Sequence, residues 1–354
     1  MVAARARAEG LTWADPAARA HEGRQSRTYL EAAAAAIATA LGAPDARVVF
    51  LPGGQVALWS AVAGVGHGPA VTSAVDRQVV LAAAAARTAA AGQPATDPLA
   101  VDDLGRLVPT ALAAALEAPP GLVVLQVGNP EVGTMQPLAQ VHPWCLRAGV
   151  PLLLDATMAA GRVALPDAWD AIVLDARSWA GGDDVGVLVL RPGVRWSPPP
   201  GSGEVALRPL GAPSVAACAA AALGLEQALR GLPDRIARDV ALTDRLRSAL
   251  ADLPDVAVHG DARDRLPHVV GCSALYVDAE ALLLELDRAD ISVASGSACA
   301  AATGEASHVL AAMGALTSGN VRITLPVEAT EEDIDRLLAV LPGIIGRMRA
   351  EAGL

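Results

Sequence analysis

A cysteine among small residues is the first candidate for chemistry in this sequence. Cys299 follows Ser295–Ala298, the run Ser-Gly-Ser-Ala, and small residues of this kind suit a mobile, accessible loop. The reactive form of a cysteine is the thiolate, which nearby positive charge favours. The pattern predicts either thiol chemistry at Cys299 or an idle thiol, and both interpretations stay open.

Two charged residues are expected at a cleft. Arg322 lies mid-strand between Val321 and Ile323, and its guanidinium suits bidentate binding of a carboxylate. A structural salt bridge is the competing interpretation. Asp155 follows the apolar run Val150–Leu154, at the strand end where α/β folds place ligand chemistry. A helix N-cap is the alternative role for Asp155.

The positive charge comes from arginine alone. All 27 basic residues are arginine, and the 354 residues contain no lysine. A drift in composition that favours arginine explains exposed positions, but drift does not normally remove a catalytic lysine. The composition therefore excludes, for these residues, chemistry that needs a lysine amine.

The other cysteines predict neither a metal centre nor a disulfide framework. Cys145, Cys218 and Cys272 lie in apolar contexts, and no Cys-x-x-Cys spacing occurs. Such a pattern is typical of ordinary buried thiols. No metal site is predicted.

The overall composition narrows the class of protein. A net charge of −11 and an aromatic content of 3% argue against nucleic acid as a partner, since phosphate contacts need clustered positive charge and base stacking needs aromatic rings. No apolar run approaches the roughly 18 residues that span a bilayer, and Met1–Gly10 lacks the apolar core of a secretion signal. We expect a cytoplasmic protein.

Short apolar runs alternate with helical stretches along the first part of the chain. This alternation is typical of βαβ units and predicts an α/β fold with a mainly parallel sheet flanked by helices. The predicted strands are Arg47–Leu51, Gly121–Val127, Val150–Leu154, Ala171–Leu174 and Val185–Leu190. Helices are expected from near Gln55 and over about Pro213–Leu229.

The C-terminal part predicts a second, smaller α/β domain. Cys272–Val277 and Val321–Leu325 are expected strands. Thr330 is the expected N-cap of a final helix, because acidic residues follow it and an apolar face repeats at helical spacing. The predicted domains are 1–225 and 226–354.

An ordered set of motifs resembles the cysteine desulfurases, members of the class-V aminotransferases with the fold-type-I pyridoxal phosphate (PLP) architecture. The motifs are His21–Arg24, Asn129–Gln136 (NPEVGTMQ), Asp155–Thr157 (DAT), Ser295–Cys299 (SGSAC), Ser307–Leu310 (SHVL) and Val321–Leu325 (VRITL). The resemblance implies a dimer. It also implies a PLP-dependent reaction in which a mobile cysteine takes sulfur from L-cysteine, leaving alanine and an enzyme persulfide.

The resemblance assigns roles to four residues that match the family pattern. It implies that Cys299 is the sulfur-accepting thiol and that Arg322 binds the substrate carboxylate. It places Asp155 beside the pyridine nitrogen of PLP and Asn129 in contact with the ring. The other cofactor positions depart from the pattern.

The family's Ser-x-His-Lys motif reads Asp175-Ala176-Arg177-Ser178, so Ser178 stands where the lysine forms the Schiff base. Serine cannot form that bond, and Arg177 stays protonated. Arg77 stands at the position of the histidine that stacks on the ring. Met158 stands at the position of the glutamine that contacts the ring hydroxyl.

The expected phosphate site is altered as well. The family's Gly-Ala-Thr turn reads Gly53-Gly54-Gln55, so Gly54 and Gln55 are the remaining candidates for anion contacts at a helix N-terminus. Asp183 and Asp184 interrupt a glycine-rich turn nearby. These departures predict that PLP is not bound covalently, and that non-covalent PLP is a minor alternative.

Three functions stay open. In the first, the chain is a non-catalytic or persulfide-carrying partner in sulfur transfer, within iron–sulfur or thio-cofactor biosynthesis. It would form a homodimer, or a heterodimer with a desulfurase paralogue, and would meet a sulfur carrier or scaffold protein. In the second, an enzyme of altered chemistry binds non-covalent PLP or another small anion, held by Arg77, Arg177 and Arg322 if they converge. In the third, the chain is a purely structural subunit of a desulfurase complex.

Overall fold

A computed structural model of the chain describes Gly10 and residues 12–94, 96–182, 184–198, 211–296 and 306–353. The helices are α1 His21–Ala40, α2 Gly54–Gly64, α3 Gln78–Ala90, α4 Pro109–Ala115, α5 Leu138–Ala148, α6 Val215–Arg230, α7 Leu232–Ala251, α8 Ala279–Asp287, α9 His308–Ala312 and α10 Glu331–Glu351. The strands are β1 Arg47–Pro52, β2 Ala70–Val71, β3 Leu122–Gln126, β4 Leu152–Asp155, β5 Ala171–Asp175, β6 Val185–Leu190, β7 Val256–Val258, β8 Val269–Ala274 and β9 Asn320–Thr324.

The larger sheet has the strand order β1-β6-β5-β4-β3-β2. Strands β2, β3, β4 and β5 are parallel to one another, whereas β6 runs antiparallel to both β1 and β5. The carboxyl ends of β3, β4 and β5 therefore meet at one edge of the sheet. This arrangement confirms the predicted mainly parallel α/β fold.

Helices cover both faces of this sheet, and β3 shows how the sequence divides between the two faces. Val123 and Leu125 pack in the core that includes Ile37 of α1. Leu122 and Val124 face the opposite core, which includes Leu58 of α2. Successive side chains of a strand point to opposite faces, so a strand covered on both sides must be apolar throughout.

The smaller sheet is antiparallel, with the order β7-β8-β9. Helices α7, α8 and α10 supply residues to its core. The predicted N-cap of α10 is confirmed, because Thr330 and Asp333 form a capping box in which each side chain accepts from the other's backbone N–H.

Most strands predicted from sequence lie within two residues of the observed bounds, but one prediction is wrong. The strand expected over Cys272–Val277 is β8, Val269–Ala274. It begins earlier because Val269 pairs with Thr324 of β9. It ends earlier because Tyr276 adopts a left-handed φ of 61°, which is incompatible with an extended strand.

The predicted domain boundary after residue 225 falls inside α6, Val215–Arg230, and stays a prediction. Within the described ranges, no single helix is long and apolar enough to cross a bilayer. Helices α6 and α7 meet that test of length and composition only as a pair, with a bend of 73° between them.

Candidate functional site

A cavity of about 530 Å³ lies over the edge where the parallel strands end. Part of its wall follows the carboxyl ends of β4 and β5, and part comes from β9 and the residue before β8. Six of the residues singled out from sequence line it: Gln55, Arg77, Met158, Arg177, Ser178 and Arg322. The three arginines of the second hypothesis therefore do share one cavity.

Asp155 lies just beneath this cavity, at the end of β4. Its Oδ1 accepts hydrogen bonds from the backbone N–H of Thr157 (2.9 Å) and from the Thr157 hydroxyl (2.6 Å). The Arg77 guanidinium donates to the same Thr157 oxygen at 2.7 Å. Thr157 thus links the cavity-lining Arg77 to the buried carboxylate.

A second carboxyl group, Asp76, is buried beside Asp155. Its two oxygens accept from the backbone N–H groups of Ser73 and Gln126. Burial, together with the nearby Asp155 carboxylate, raises the pKa of Asp76 from 3.8 to about 7 even though the hydrogen bonds to this carboxylate act to lower it. The pair therefore resists carrying two negative charges.

Asn129 is fully buried and is not among the residues that line the cavity. Its amide nitrogen donates to the Val75 carbonyl, and its oxygen accepts from the backbone N–H groups of Glu131 and Val132. In this structure, the side chain shapes the loop after β3. The role in contacting a ring stays a prediction.

The turn after β5, which the resemblance matches to the family's lysine motif, holds an internal hydrogen-bond network. The Ser178 hydroxyl donates to the Ala160 carbonyl at 2.7 Å. The Arg177 guanidinium pairs with Asp175 through Nη2–Oδ2, at 3.0 Å. The Asp175 side chain also accepts from the Arg177 backbone N–H, which caps the short 3₁₀ helix Ala176–Trp179.

The carboxylate of Asp175 lies against the N-terminus of α2. A Cβ placed on Gly54 would be 2.5 Å from Asp175 Oδ2, so only glycine allows this approach. Gly53, which precedes Gly54, has a left-handed φ of 82°, a value that favours glycine. A negative side chain is therefore held beside the turn that the sequence predicted as an anion site.

Arg322 projects into the cavity from β9. Its Nε is buried and has no hydrogen-bond partner among the described residues. Burial lowers the pKa of Arg322, the Glu131 carboxylate opposes that change, and Arg77 adds to it. Glu131 itself accepts from the Asn320 amide at 2.8 Å. Arg322 thus lines the cavity with donor capacity left over, and its role in binding a carboxylate stays a prediction.

Sequence reasoning missed two further polar residues that line the cavity, Arg162 and His268. Arg162 is buried, and its Nη2 donates to Asp239 and to the Leu325 carbonyl. His268 is also buried, and burial together with Arg162 lowers its pKa well below the usual value. Arg162 Nε and His268 Nδ1 are without hydrogen-bond partners in the described part of the chain.

The sequence held only weak signals for these residues. Asp175 ends an apolar strand, as Asp155 does, and that shared position could have marked it. Arg162 and His268 follow no motif used above. The partners of Arg162 are Asp239 and Leu325, which lie far along the chain, so local spacing carries no sign of the contact.

Cys299 lies outside the described residues. Gly296, three residues before it, is buried and lines the cavity. The other cysteines, Cys145, Cys218 and Cys272, are buried free thiols, as the sequence predicted. Burial raises the pKa of each to about 12, so these thiols stay protonated at neutral pH.

Comparison with known families matches residues 14–337 to the aminotransferase class-V model. The chain belongs to this family, whose members are PLP-dependent.

Curated relatives give the same family. The chain is 33% identical over 351 residues to the IscS-like cysteine desulfurase of Mycobacterium tuberculosis, covering 93% of this chain and 89% of the relative. It is 32% identical over 260 residues to a cysteine desulfurase of Nostoc sp., covering 71% of this chain. That second match spans only 65% of the Nostoc protein, just under two thirds of its length.

A solved structure shows the same fold. The NifS-like protein from Rickettsia africae superposes with a TM-score of 0.80, covering 94% of this chain and 91% of that protein at 21% identity. At that identity, the likeness concerns the fold alone.

Proposed function

We propose that this chain is a cysteine desulfurase homologue in sulfur transfer that works without a covalently bound PLP. In this proposal Cys299 carries persulfide sulfur, which it receives from an active desulfurase paralogue and passes to a sulfur carrier or scaffold protein. The chain would act in the cytoplasm as a homodimer, or as a heterodimer with that paralogue. The names of the relatives support the sulfur-transfer part.

The observation that carries the proposal is the carboxylate at α2. Asp175 lies against Gly54, where the family's phosphate turn is expected. A fixed carboxylate there would repel the phosphate dianion of PLP, and its pairing with Arg177 holds it in place. The residues present therefore fit PLP poorly at the phosphate end.

The position matched to the Schiff-base lysine supports the same conclusion. Ser178 has its hydroxyl engaged with Ala160, and the 354 residues contain no lysine to replace it. PLP therefore finds no lysine side-chain amine in these residues with which to form a Schiff base.

Cys299 differs from the other three thiols in its sequence context. The buried cysteines have pKa values raised to about 12 by burial, which leaves little thiolate to attack a persulfide. Gly296 places the start of the Ser295–Cys299 motif at the cavity wall. This contrast supports Cys299 as the sulfur-carrying thiol.

The test begins with purified protein incubated with L-cysteine, with and without added PLP. We expect no alanine release under either condition. Alanine release that depends on Cys299 would contradict the proposal, because the desulfurase reaction would then survive without a lysine.

Sulfur loading is tested next, with an active cysteine desulfurase as the persulfide donor. Peptide mass spectrometry should find one added sulfur atom on Cys299 of the wild-type chain and none after Cys299→Ser. Cys145→Ala is the matched control and should load as wild type does. Loading that is absent, or equal in Cys299→Ser, would contradict the proposal.

The shared cavity of Arg77, Arg177 and Arg322 favours a second candidate function, the binding of a small anion in the old active site. Arg177 pairs with Asp175 and Arg77 donates to Thr157, so Arg322 is the principal donor with free capacity. Addition of small carboxylates should raise the melting temperature of the wild-type protein. Arg322→Gln should abolish that rise, whereas Arg245→Gln, outside the cavity, should leave it unchanged.

A further inference from the structure

Three residues that line one cavity each carry a buried side-chain nitrogen without a hydrogen-bond partner in the described part of the chain. The atoms are Arg162 Nε, His268 Nδ1 and Arg322 Nε. A guanidinium carries five N–H donors, so each arginine has further donors besides its shielded Nε. Two guanidinium groups and an imidazole on one cavity indicate a ligand that supplies hydrogen-bond acceptors.

These donors form two groups at different positions along the β8–β9 ladder. Arg322 pairs with Gly271, whereas the Leu325 backbone N–H donates to the His268 carbonyl at 2.8 Å. Arg322 and Leu325 are three residues apart on the chain, which is roughly 10 Å at the rise of a β-strand. His268 therefore lies well along the cavity from Arg322.

The charged neighbours of the two groups also differ. The pKa of His268 is lowered by burial and by the positive charge of Arg162. The charged neighbours that act on Arg322 are Glu131 and Arg77. A ligand that satisfies both groups must present acceptors at two ends.

The group around Arg162 carries more positive than negative charge. The buried carboxylate of Asp239 is shared between Arg162, at 3.2 Å, and Arg238, at 2.7 Å. One carboxylate therefore balances two guanidinium groups. An acceptor with a negative charge fits this end of the cavity better than a neutral one.

At the other end, Arg322 forms no ion pair within the described ranges. Glu131 lies near enough to act on its pKa, but the Glu131 oxygen accepts from Asn320. Arg177 is paired with Asp175, and Arg77 donates to Thr157 above Asp155. Arg322 is thus the residue with capacity for a ligand carboxylate at this end.

We propose that the cavity binds a small dicarboxylate, with one carboxylate on Arg322 and the other on Arg162 and His268. In this proposal the neutral imidazole of His268 donates one ring N–H to the second carboxylate, and the Arg162 guanidinium donates another. This inference deepens the second candidate function, small-anion binding, and does not depend on the chemistry of Cys299.

The experiment is isothermal titration calorimetry on the full chain with two matched series. Succinate, glutarate and adipate are compared with butyrate, valerate and hexanoate, which have the same numbers of carbon atoms but one carboxylate. At least one dicarboxylate should bind roughly tenfold or more tightly than its partner, which corresponds to ~1.4 kcal/mol.

Variants test which residue binds each carboxylate of the ligand. His268→Phe should reduce the preference for the dicarboxylate towards a ratio of one, and Arg322→Gln should weaken binding of both series. His142→Phe, which lies on α5 away from the cavity-lining residues, is the matched control and should keep the wild-type preference. The comparison of the two series on wild-type protein needs no variant to fold.

Each failure has its own meaning. Equal affinity of the two series, with binding lost in Arg322→Gln, would overturn the dicarboxylate inference and leave small-anion binding intact. Binding of neither series would overturn both. An unchanged preference in His268→Phe would overturn the assignment of the second carboxylate.

Discussion

Two groups of polar side chains around the cavity differ in how far the chain itself satisfies them. The closed cluster, Asp76, Asn129, Asp155 and Ser178, has hydrogen bonds within the protein. The open cluster, Arg162, His268 and Arg322, has three buried nitrogen atoms without such a partner in the described part of the chain.

The difference separates two kinds of polar group around one cavity. Asn129, Asp155 and Ser178 stand where the resemblance predicts contacts to PLP, and in this structure their side chains bond to the protein itself. Arg162, His268 and Arg322 line the cavity and include nitrogen atoms without such a partner in the described part of the chain. Internal hydrogen bonds can therefore satisfy one part of a site while another part keeps donors for a ligand.

The largest expected effect is on the buried ion pair that anchors the open cluster. Arg162→Met removes the partner of Asp239, which is fully buried and then keeps only Arg238. Loss of one member of a buried pair costs about 4 kcal/mol. Urea unfolding should show a decrease in the free energy of unfolding of about that size.

The matched control is Arg245→Met, which removes the exposed pair between Arg245 and Asp335. An exposed pair contributes about 0.5 kcal/mol, so this variant should unfold close to wild type. Equal losses in the two variants would show that Arg162 does not anchor the cluster.

In the closed cluster, Asp76 should make the free energy of unfolding depend on pH. The pKa of this carboxyl rises from 3.8 to about 7 on folding, so between those values the folded state holds a proton that the unfolded state has lost. Its contribution to stability is therefore greatest at acidic pH and falls as pH rises to about 7, by about 1.4 kcal/mol per pH unit.

Asp76→Asn removes this titration. The free energy of unfolding of wild type minus that of the variant, measured by urea unfolding at several pH values, should fall between about pH 4 and pH 7 and level off above. A difference that is flat across this window would contradict the raised pKa.

A smaller effect is expected at the carboxylate beside α2. Asp175→Asn keeps the shape of the side chain but removes the charge that lies against Gly54. Binding of PLP and of inorganic phosphate should strengthen by roughly tenfold, or ~1.4 kcal/mol, as measured by titration calorimetry. This result would show that Asp175 excludes phosphate.

Asp184→Asn is the matched control, because Asp184 is exposed and contacts the same turn through its backbone carbonyl. It should leave phosphate affinity at the wild-type value. A similar gain in both variants would indicate a general effect of net charge, and no gain in Asp175→Asn would remove its proposed role.

The smallest expected effect concerns Ser178. Ser178→Ala removes a hydroxyl that donates to the Ala160 carbonyl, and the loss should be about 1 kcal/mol of unfolding free energy. Thr28→Ala removes an exposed hydroxyl that donates to Arg24 and should change stability by less than about 0.5 kcal/mol. Urea unfolding of the two variants makes the comparison. No loss in Ser178→Ala would mean that the hydroxyl is not part of the closed cluster's stability.

The sequence by itself determined the architecture and one chemical exclusion. Apolar runs such as Val185–Leu190 predicted a strand with its observed bounds, because a strand covered on both faces must be apolar throughout. The absence of lysine is also a property of composition and needs no coordinates. The helix cap at Thr330 is equally local, since its partner is Asp333.

Only the tertiary structure decided which side chains face one another. Arg77, Arg177 and Arg322 share a cavity although up to 245 positions separate them, and no spacing rule brings such residues together. Which donors stay without a partner, and that Asp175 meets Gly54, depend on how strands and helices pack. Strands are set by local periodicity, whereas the satisfaction of a polar group depends on distant neighbours that only packing supplies.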